Sequence, residues 1–415
     1  MKTFRILTKS FFYIFLVSIV FIFSSVIYLD YNINKNFKIK SGSNINIDSF
    51  LPVTAVYNGT ELSQSGLTRN IGEEYSVDLK LFGVIPVSKA NVQVIDEMYV
   101  SLLGQPFGMK LYTEGVLVIK TGDVQTENGN VNPSKDAGLK IGDYILSVNG
   151  EKISTNEDLS KIVENSNGEK LNFIIKRKNK KLNLKIKAKI CKETEKYKIG
   201  IWVRDSSAGV GMLTFYSPSN DIICGLGHGI CDEDTGSLLH LDSGEMVTAD
   251  IISAVKGEKG SPGQLKGRFG FKTLGDINLN SNMGVYSLYK GNINTDRLVE
   301  VALKNEISSG EAVIFCTVEG SEPKEYSCEV ELRASAYMSK TQNMVVTVTD
   351  NELLNKTGGI VQGMSGSPLI QNGKLIGAVT HVLVDDPTRG YAIFAENMLE
   401  TAQSVAENNK LKDAS

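Results

Sequence analysis

The chain has 415 residues, too many for one ordinary domain of roughly 100–200 residues and enough for two or three. Its 41% hydrophobic and 22% charged content excludes wholesale disorder and a multi-span membrane protein, and 44 basic against 47 acidic side chains leave a net charge of −3 that gives no general attraction to nucleic acid. Five cysteines, odd in number and scattered at Cys191, Cys224, Cys231, Cys316 and Cys328, do not make the disulfide framework of a small secreted domain.

Lys2, Arg5 and Lys9 precede an uncharged, mostly apolar run from Phe11 to Leu29. At 1.5 Å per residue this run predicts one helix that spans the roughly 30 Å of a hydrocarbon core. A cleavable signal peptide is the alternative, but no small-residue cleavage site follows the run, so residues 1–30 read as a cytoplasmic tip and an uncleaved anchor. The basic N-terminal flank holds that end in the cytoplasm and sends everything after Asp30 to the outer face. Residues 31–90 read as a linker and small β module, with short edge strands around Leu79–Val87 and no recognisable chemistry.

Residues 91–190 carry sharper signals. The string Asp136-Ala137-Gly138-Leu139-Lys140-Ile141-Gly142-Asp143-Tyr144-Ile145-Leu146-Ser147-Val148-Asn149-Gly150 closely resembles the PDZ pattern. Gly138 and Gly142 permit turns around a short helix, and Asn149-Gly150 marks a tight hairpin. Thr155 with Asp158 starts a helix whose Leu159, Ile162 and Val163 share a face. Leu182, Leu184, Ile186, Ala188 and Ile190 then alternate with Lys181, Asn183, Lys185, Lys187 and Lys189, a strand with one solvated face. The resemblance implies that an extended peptide adds as a strand beside the long helix, with Phe107, Gly108, Met109 and Lys110 as the loop that meets the peptide end.

From 191 to 415 the sequence shows short apolar runs broken by glycine, which suit a barrel of short strands, and then one helical tail through Leu399, Ala402, Val405 and Ala406. Gly363-Met364-Ser365-Gly366-Ser367-Pro368 leads into an apolar hairpin with an Asn372-Gly373 turn. Its glycines bare the Ser365 hydroxyl and let amides of Gly363, Met364 and Ser365 converge as an oxyanion hole. Chymotrypsin-like serine proteases carry a similar local arrangement. Such a serine needs a base, and the chain holds only His228, His240 and His381. His228 follows the apolar Ile222-Ile223 among small neighbours. His381, sixteen positions after Ser365, either faces the cleft or caps its strand.

The strings Gly225-Leu226-Gly227-His228-Gly229, Lys256 through Gly267 and Thr357 through Pro368, with the anchor and the PDZ pattern, resemble the stage IV sporulation protein B family of serine peptidases. The resemblance implies a mainly β multidomain chain: an N-terminal transmembrane helix, an α+β PDZ domain, and a C-terminal chymotrypsin-like β-barrel peptidase domain. It implies Ser365 as nucleophile, His228 as general base and Asp350 as the acid that orients the imidazole, with no metal or organic cofactor. It also implies a single-pass protein of the forespore, with its catalytic part between forespore and mother-cell membranes. There it would cut itself and the extracytoplasmic part of an inhibitor of an intramembrane protease, releasing sigma factor processing. Its partners would be protein substrates, its own chain and the membrane, not nucleic acid.

Asp250 and Asp276 rival Asp350, which also reads as the cap of a short helix at Asp350-Asn351-Glu352-Leu353-Leu354. Two other functional classes stay open. One is a zinc-binding module from Cys224, His228 and Cys231, with His240 nearby. The other is a non-catalytic PDZ scaffold whose barrel docks to partners.

Overall fold

The computed structural model describes residues 2–43, 45, 47, 49–61, 70–291, 298–333 and 340–413. The N-terminal helix Lys2–Asn32 contains the 22-residue apolar stretch Phe11–Asn32, with a mean hydropathy of 2.5, long and apolar enough to cross a membrane. The side chains of Lys2, Arg5 and Lys9 lie outside what is described. Leu29 and Ile33, at the end of the helix, are buried with Phe37, Ile39 and Val92 in the core of a five-stranded sheet that runs from Asn36 to Ile95. The expected edge strands around Leu79–Val87 form a hairpin there, Glu74–Leu81 with Ile85–Ile95.

The rest of the chain is two six-stranded barrels with a PDZ unit set into the first. The second barrel is contiguous in sequence. Strands Gly310–Cys316, Lys324–Leu332, Met344–Val348, Pro368–Gln371, Lys374–Leu383 and Asp386–Phe394 close on themselves, and the helix Ala395–Asp413 follows. The first barrel closes through Pro106–Thr121, Leu241–Val255, Gln264–Ser281, Gly284–Tyr289, Ile222–Gly225 and Ile201–Ser217, whose last member pairs back with the first.

That closure changes the expected domain order. Strand Tyr99–Leu102 pairs with Phe215 and Tyr216, and Phe107–Thr113 pairs with Leu241–Thr248, so the first barrel begins before the PDZ unit rather than after residue 190. Two strands of 16 and 17 residues serve both units: Pro106–Thr121 and Ile201–Ser217. Their near halves, at Pro106–Tyr112 and Ser206–Met212, are barrel walls, and their far halves, at Leu117–Thr121 and Ile201–Arg204, are PDZ strands. Bulges at Trp202/Val203 and Arg204/Ser206 mark the passage between the two.

Another strand of the first barrel shows why glycine misled the reading of length. Gln264–Ser281 runs 18 residues through Gly267, Gly270 and Gly275. A Cβ at Gly275 would run into the Leu288 carbonyl, so glycine there serves close approach rather than a break. Within the PDZ unit the Thr155 and Asp158 capping box forms as expected, with the Asp158 amide donating to Thr155 Oγ1 at 3.1 Å, and Leu159 and Val163 are buried.

Candidate active site

The Ser365 loop is held from both barrels. The Asn372-Gly373 turn takes φ of 53° and 76°, which gives the tight hairpin behind the loop. The Gly366 amide donates to the Val379 carbonyl at 2.8 Å and the Met364 amide to Val361 at 3.1 Å. From the first barrel, the Met212 amide donates to the Ser365 carbonyl at 2.8 Å and Thr214 Oγ1 to the Gly366 carbonyl at 2.8 Å. The loop Lys256–Gly267 adds further ties, since Gly257 N donates to Thr357 O and Gln362 N donates to Gly263 O, each at 2.8 Å. That glycine-rich string therefore splints the approach to Ser365.

Gly363 and Gly366 sit at φ of +95° and +93°, a conformation other residues resist. Among the described residues, the Gly363 and Ser365 amides donate to no protein acceptor, whereas the Met364 amide is spent on Val361. Of the three amides expected to form an oxyanion hole, those of Gly363 and Ser365 are therefore the ones left unspent. The Ser365 hydroxyl donates to the Thr380 carbonyl at 2.6 Å, and no hydrogen bond joins it to an imidazole. The Ser365 hydroxyl is thus spent on Thr380 rather than on His228.

His228 leaves the strand Ile222–Gly225 through Leu226 and Gly227, at φ of +69° and +64°; a leucine in that region is strained by about 1–2 kcal/mol. The loop is pinned by Asn280, which accepts from the Ile230 amide at 2.8 Å and donates to the Ile230 and Leu239 carbonyls at 3.0 Å. Asp232, buried, receives the amides of Asp234 and Thr235 and pairs with Arg204 of the PDZ strand. His228 Nδ1–H donates to the Gly229 carbonyl at 2.8 Å, which leaves Nε2 free to act as base. Burial, and then the neighbouring His381, push the His228 imidazole down to about 4. His381 stands at the cleft mouth with solvent access, yet the protein packed around it lowers it too. The two rings lie 4.4 Å apart at 35°.

His228 and Ser365 line one cleft of about 770 Å³ between the barrels, with Gly363, Thr380, His381 and Cys231. The sequence-predicted base and nucleophile thus line the same cleft, and Asp350 is not among the residues that line it. Asp350 caps the helix Asn351–Thr357, accepting from the Leu353 amide at 3.0 Å and the Ser327 amide at 3.4 Å, and it bonds to neither histidine. Capping wins because the acceptor sits at the start of its own helix, where orphan amides point at it. The rivals are engaged elsewhere: Asp250 pairs with Arg268 at 3.6 Å and Asp276 with Lys290, on the first barrel's surface.

The zinc alternative fails on geometry. Cys224 is fully buried in the core with Phe215 and Tyr286, Cys231 is exposed, and His240 packs edge-on against Tyr144. Among the described residues no three His, Cys, Asp or Glu side chains gather to hold a metal.

The PDZ peptide loop is also corrected. Phe107, Gly108, Met109 and Lys110 lie mid-strand, paired on one edge with Ala208–Gly211 and on the other with Glu245–Thr248, so both backbone edges are taken. Phe107 and Met109 are core, and Lys110 pairs with Glu245 at 2.9 Å. The groove beside the helix Asn156–Glu164 is lined instead by Leu159, Ser160, Val163 and Ile199–Val203, in a cleft of about 420 Å³. The missed signal was Ile199-Gly200-Ile201-Trp202-Val203, where Gly200 at φ +74° leads an apolar strand.

Residues 195–399 match the model of the SpoIVB peptidase S55 family, and residues 101–188 match that of the PDZ domain. The chain is 36% identical over 75 residues to the regulator of sigma-W protease RasP of Bacillus subtilis, a stretch that covers 18% of this chain and 17% of that one. The curated relatives are matched over only 14–22% of their own length. Among solved structures, the active form of the Rv3671c protease from M. tuberculosis is 14% identical, with 48% of this chain and 74% of that chain covered at a TM-score of 0.27. Human heparin binding protein is 12% identical, with 48% and 86% covered at a TM-score of 0.27. At these scores the structural likenesses carry no weight.

Proposed function

Because the chain is a SpoIVB-type serine peptidase with a PDZ domain, we propose that the cleft between its barrels hydrolyses peptide bonds by acyl transfer from Ser365 with His228 as base. The observation that carries this reading is one cleft lined by the Ser365 hydroxyl, an imidazole with Nε2 free, and two unspent amides. The Ser365 hydroxyl turns from Thr380 toward His228, its proton passes to Nε2, and its oxygen bonds to the scissile carbonyl carbon. The Gly363 and Ser365 amides hold the oxyanion, each worth about 2.7–4 kcal/mol in the transition state. His228 then returns the proton to the departing amine, and a water molecule repeats the sequence on the ester.

The Thr380 carbonyl freed by that turn becomes an acceptor for a substrate N–H. Beyond Val379, whose backbone bonds to Gly366 and Ser367, the strand Lys374–Leu383 pairs among the described residues only with Asp386–Phe394, so an extended substrate segment can add along its other edge from Thr380 onward. A second extended segment fits the PDZ groove at Ile201–Val203. Tethering by the N-terminal helix raises the local concentration of membrane-bound targets without high intrinsic affinity. In this reading the protein sits in the forespore membrane with its barrels in the intermembrane space. It cuts its own chain and the extracytoplasmic part of an inhibitor of an intramembrane protease, which releases sigma factor processing.

A fluorophosphonate probe tests the chemistry. It is expected to label the full-length chain once, with labelling and self-cleavage both lost in Ser365→Ala and His228→Ala. A folded Ser365→Ala chain that still cuts itself overturns the reading.

A further inference from the structure

Three features remain unused by this account. The Lys40, Glu300, Glu306 and Lys374 cluster joins the N-terminal sheet to the second barrel but shows no ligand. Cys231 is a lone thiol at the cleft rim. His381 lies directly against the base, and it carries an argument.

His228 lacks the partner its role usually has. Among the described residues no carboxylate hydrogen-bonds it, and its Nδ1–H goes to the Gly229 carbonyl. A backbone carbonyl fixes the tautomer, but one bond to the adjacent residue leaves the ring free to tilt about that contact. His381 covers the face of the ring at 4.4 Å between centroids. It faces the cleft for an identifiable reason. Ala378, Val379 and Thr380 are all buried, and the register of Lys374–Leu383 against Asp386–Phe394 slips between Val379 and His381. That bulge breaks the alternation and turns the His381 ring into the cleft beside Ser365.

We propose that His381 is a positioning residue for the reaction assigned above: its ring is a platform against the face of His228 that holds Nε2 in line for the Ser365 hydroxyl. The proposal rests on the peptidase reading and deepens it. The role belongs to a flat ring rather than to an acceptor, because Nδ1 of His228 is already occupied and the contact is a tilted ring-on-ring one, 35° between planes. The other ionisable groups along the cleft wall are Arg204, Cys231, Asp232 and Glu233; Arg204 and Asp232 pair with each other. His381 is the ionisable group in ring contact with the base, and a proton on it would oppose the imidazolium that forms on His228.

The test is the rate constant for fluorophosphonate labelling of the full-length chain in detergent, read from pH 4 to 9 for His381→Ala and His381→Phe. The alanine variant is expected to label at least tenfold more slowly with an unchanged melting temperature. Phenylalanine, which keeps a flat face, is expected to label within threefold of the unsubstituted chain. Its acid limb is expected to move up toward neutral pH, since a like charge near His228 has been removed. A folded alanine variant within twofold of the unsubstituted rate overturns the proposal. So does a folded phenylalanine variant slowed tenfold, even if the alanine variant fails to fold. If the unsubstituted chain takes no label, or Ser365→Ala still does, the peptidase reading itself fails; slow labelling that follows the wrong ring at 381 counts against the platform alone.

Discussion

The two barrels each supply one of the two groups proposed for catalysis, and they hold it differently. The second barrel is built from consecutive hairpins between Gly310 and Phe394, and its Ser365 loop is tied internally at Val361 and Val379. The first barrel is interrupted between its first two strands by a whole PDZ unit, and His228 sits on a loop that reaches that unit through Arg204 and Asp232. The Ser365 loop therefore has local ties in its own barrel besides those from Met212 and Thr214, whereas the His228 barrel depends on chain segments more than a hundred residues apart, Phe107–Thr113 and Leu241–Thr248. Any movement of the PDZ strand at Ile201–Arg204 acts on the base before it acts on the serine.

The largest effect should come from breaking the joint where the barrels meet. A Cβ at Gly366 would run into the Met212 carbonyl and the Leu226 amide, and the residue's φ of +93° adds strain. Gly366→Ala is expected to lose about 4 kcal/mol of stability from overpacking and strain together. Labelling should fall below detection, because the strands beside Ser365 and His228 must both shift. Urea unfolding checks the first figure and the fluorophosphonate rate the second. Next comes the PDZ link. Arg204→Ala leaves the Asp232 carboxylate buried without its partner, at a cost of about 3 kcal/mol. If the base is the dependent group, hydrogen exchange should quicken across 226–240 while the amides of Gly366 and Val379 keep their protection. Equal quickening in both places would erase the distinction between the barrels.

The same contrast explains what the sequence disclosed. Ser365 and its hairpin were legible because every device involved, glycine, turn pair and apolar strand, lies within twenty residues. His228 was legible from its small neighbours and the family strings. The Asp350 cap was also written locally, in Asp-Asn-Glu-Leu-Leu, and the carboxylate sits on the orphan amides of its own helix. The PDZ insertion left no local trace. Pro106–Thr121 is one unbroken strand, and nothing in its sequence says that its two halves pair in different units. The face of His381 was hidden for a related reason, since a bulge decides it and a bulge is a property of pairing.

A smaller effect separates the barrels by pH. An unfolded His228 titrates at about 6.5, and in the fold burial, then His381, bring it down to about 4. Between those values the unfolded chain holds the additional proton. This contribution is therefore neutral above about pH 6.5, and stability falls as pH drops toward 4. Unfolding in urea at pH 7.5 and pH 5 is expected to differ by about 2 kcal/mol from this group. His228→Gln should shrink that difference by the same amount. A difference that survives the substitution would assign the acid sensitivity elsewhere and leave the strained first-barrel loop without its thermodynamic signature.

The smallest effect tests the corrected PDZ groove, and it depends on a substitution that does almost nothing. Lys110 is half-exposed on a barrel strand and pairs with Glu245 at 2.9 Å, an ion pair at the surface worth less than about 1 kcal/mol. Lys110→Ala should therefore change the affinity of a PDZ-bound peptide less than twofold. Ser160 faces solvent on the helix wall of the groove, where an arginine side chain would occupy the path of an added strand. Ser160→Arg should weaken the same peptide at least tenfold while Ser365 labels at its ordinary rate, since the PDZ core and the cleft are untouched. Binding measured by fluorescence anisotropy, with peptides selected against the isolated groove face of the full-length chain, decides between the two positions. A reversed result, with Lys110 essential and Ser160 indifferent, would mean that peptides enter from the barrel edge, which requires opening a strand paired on both sides from Phe107 to Lys110.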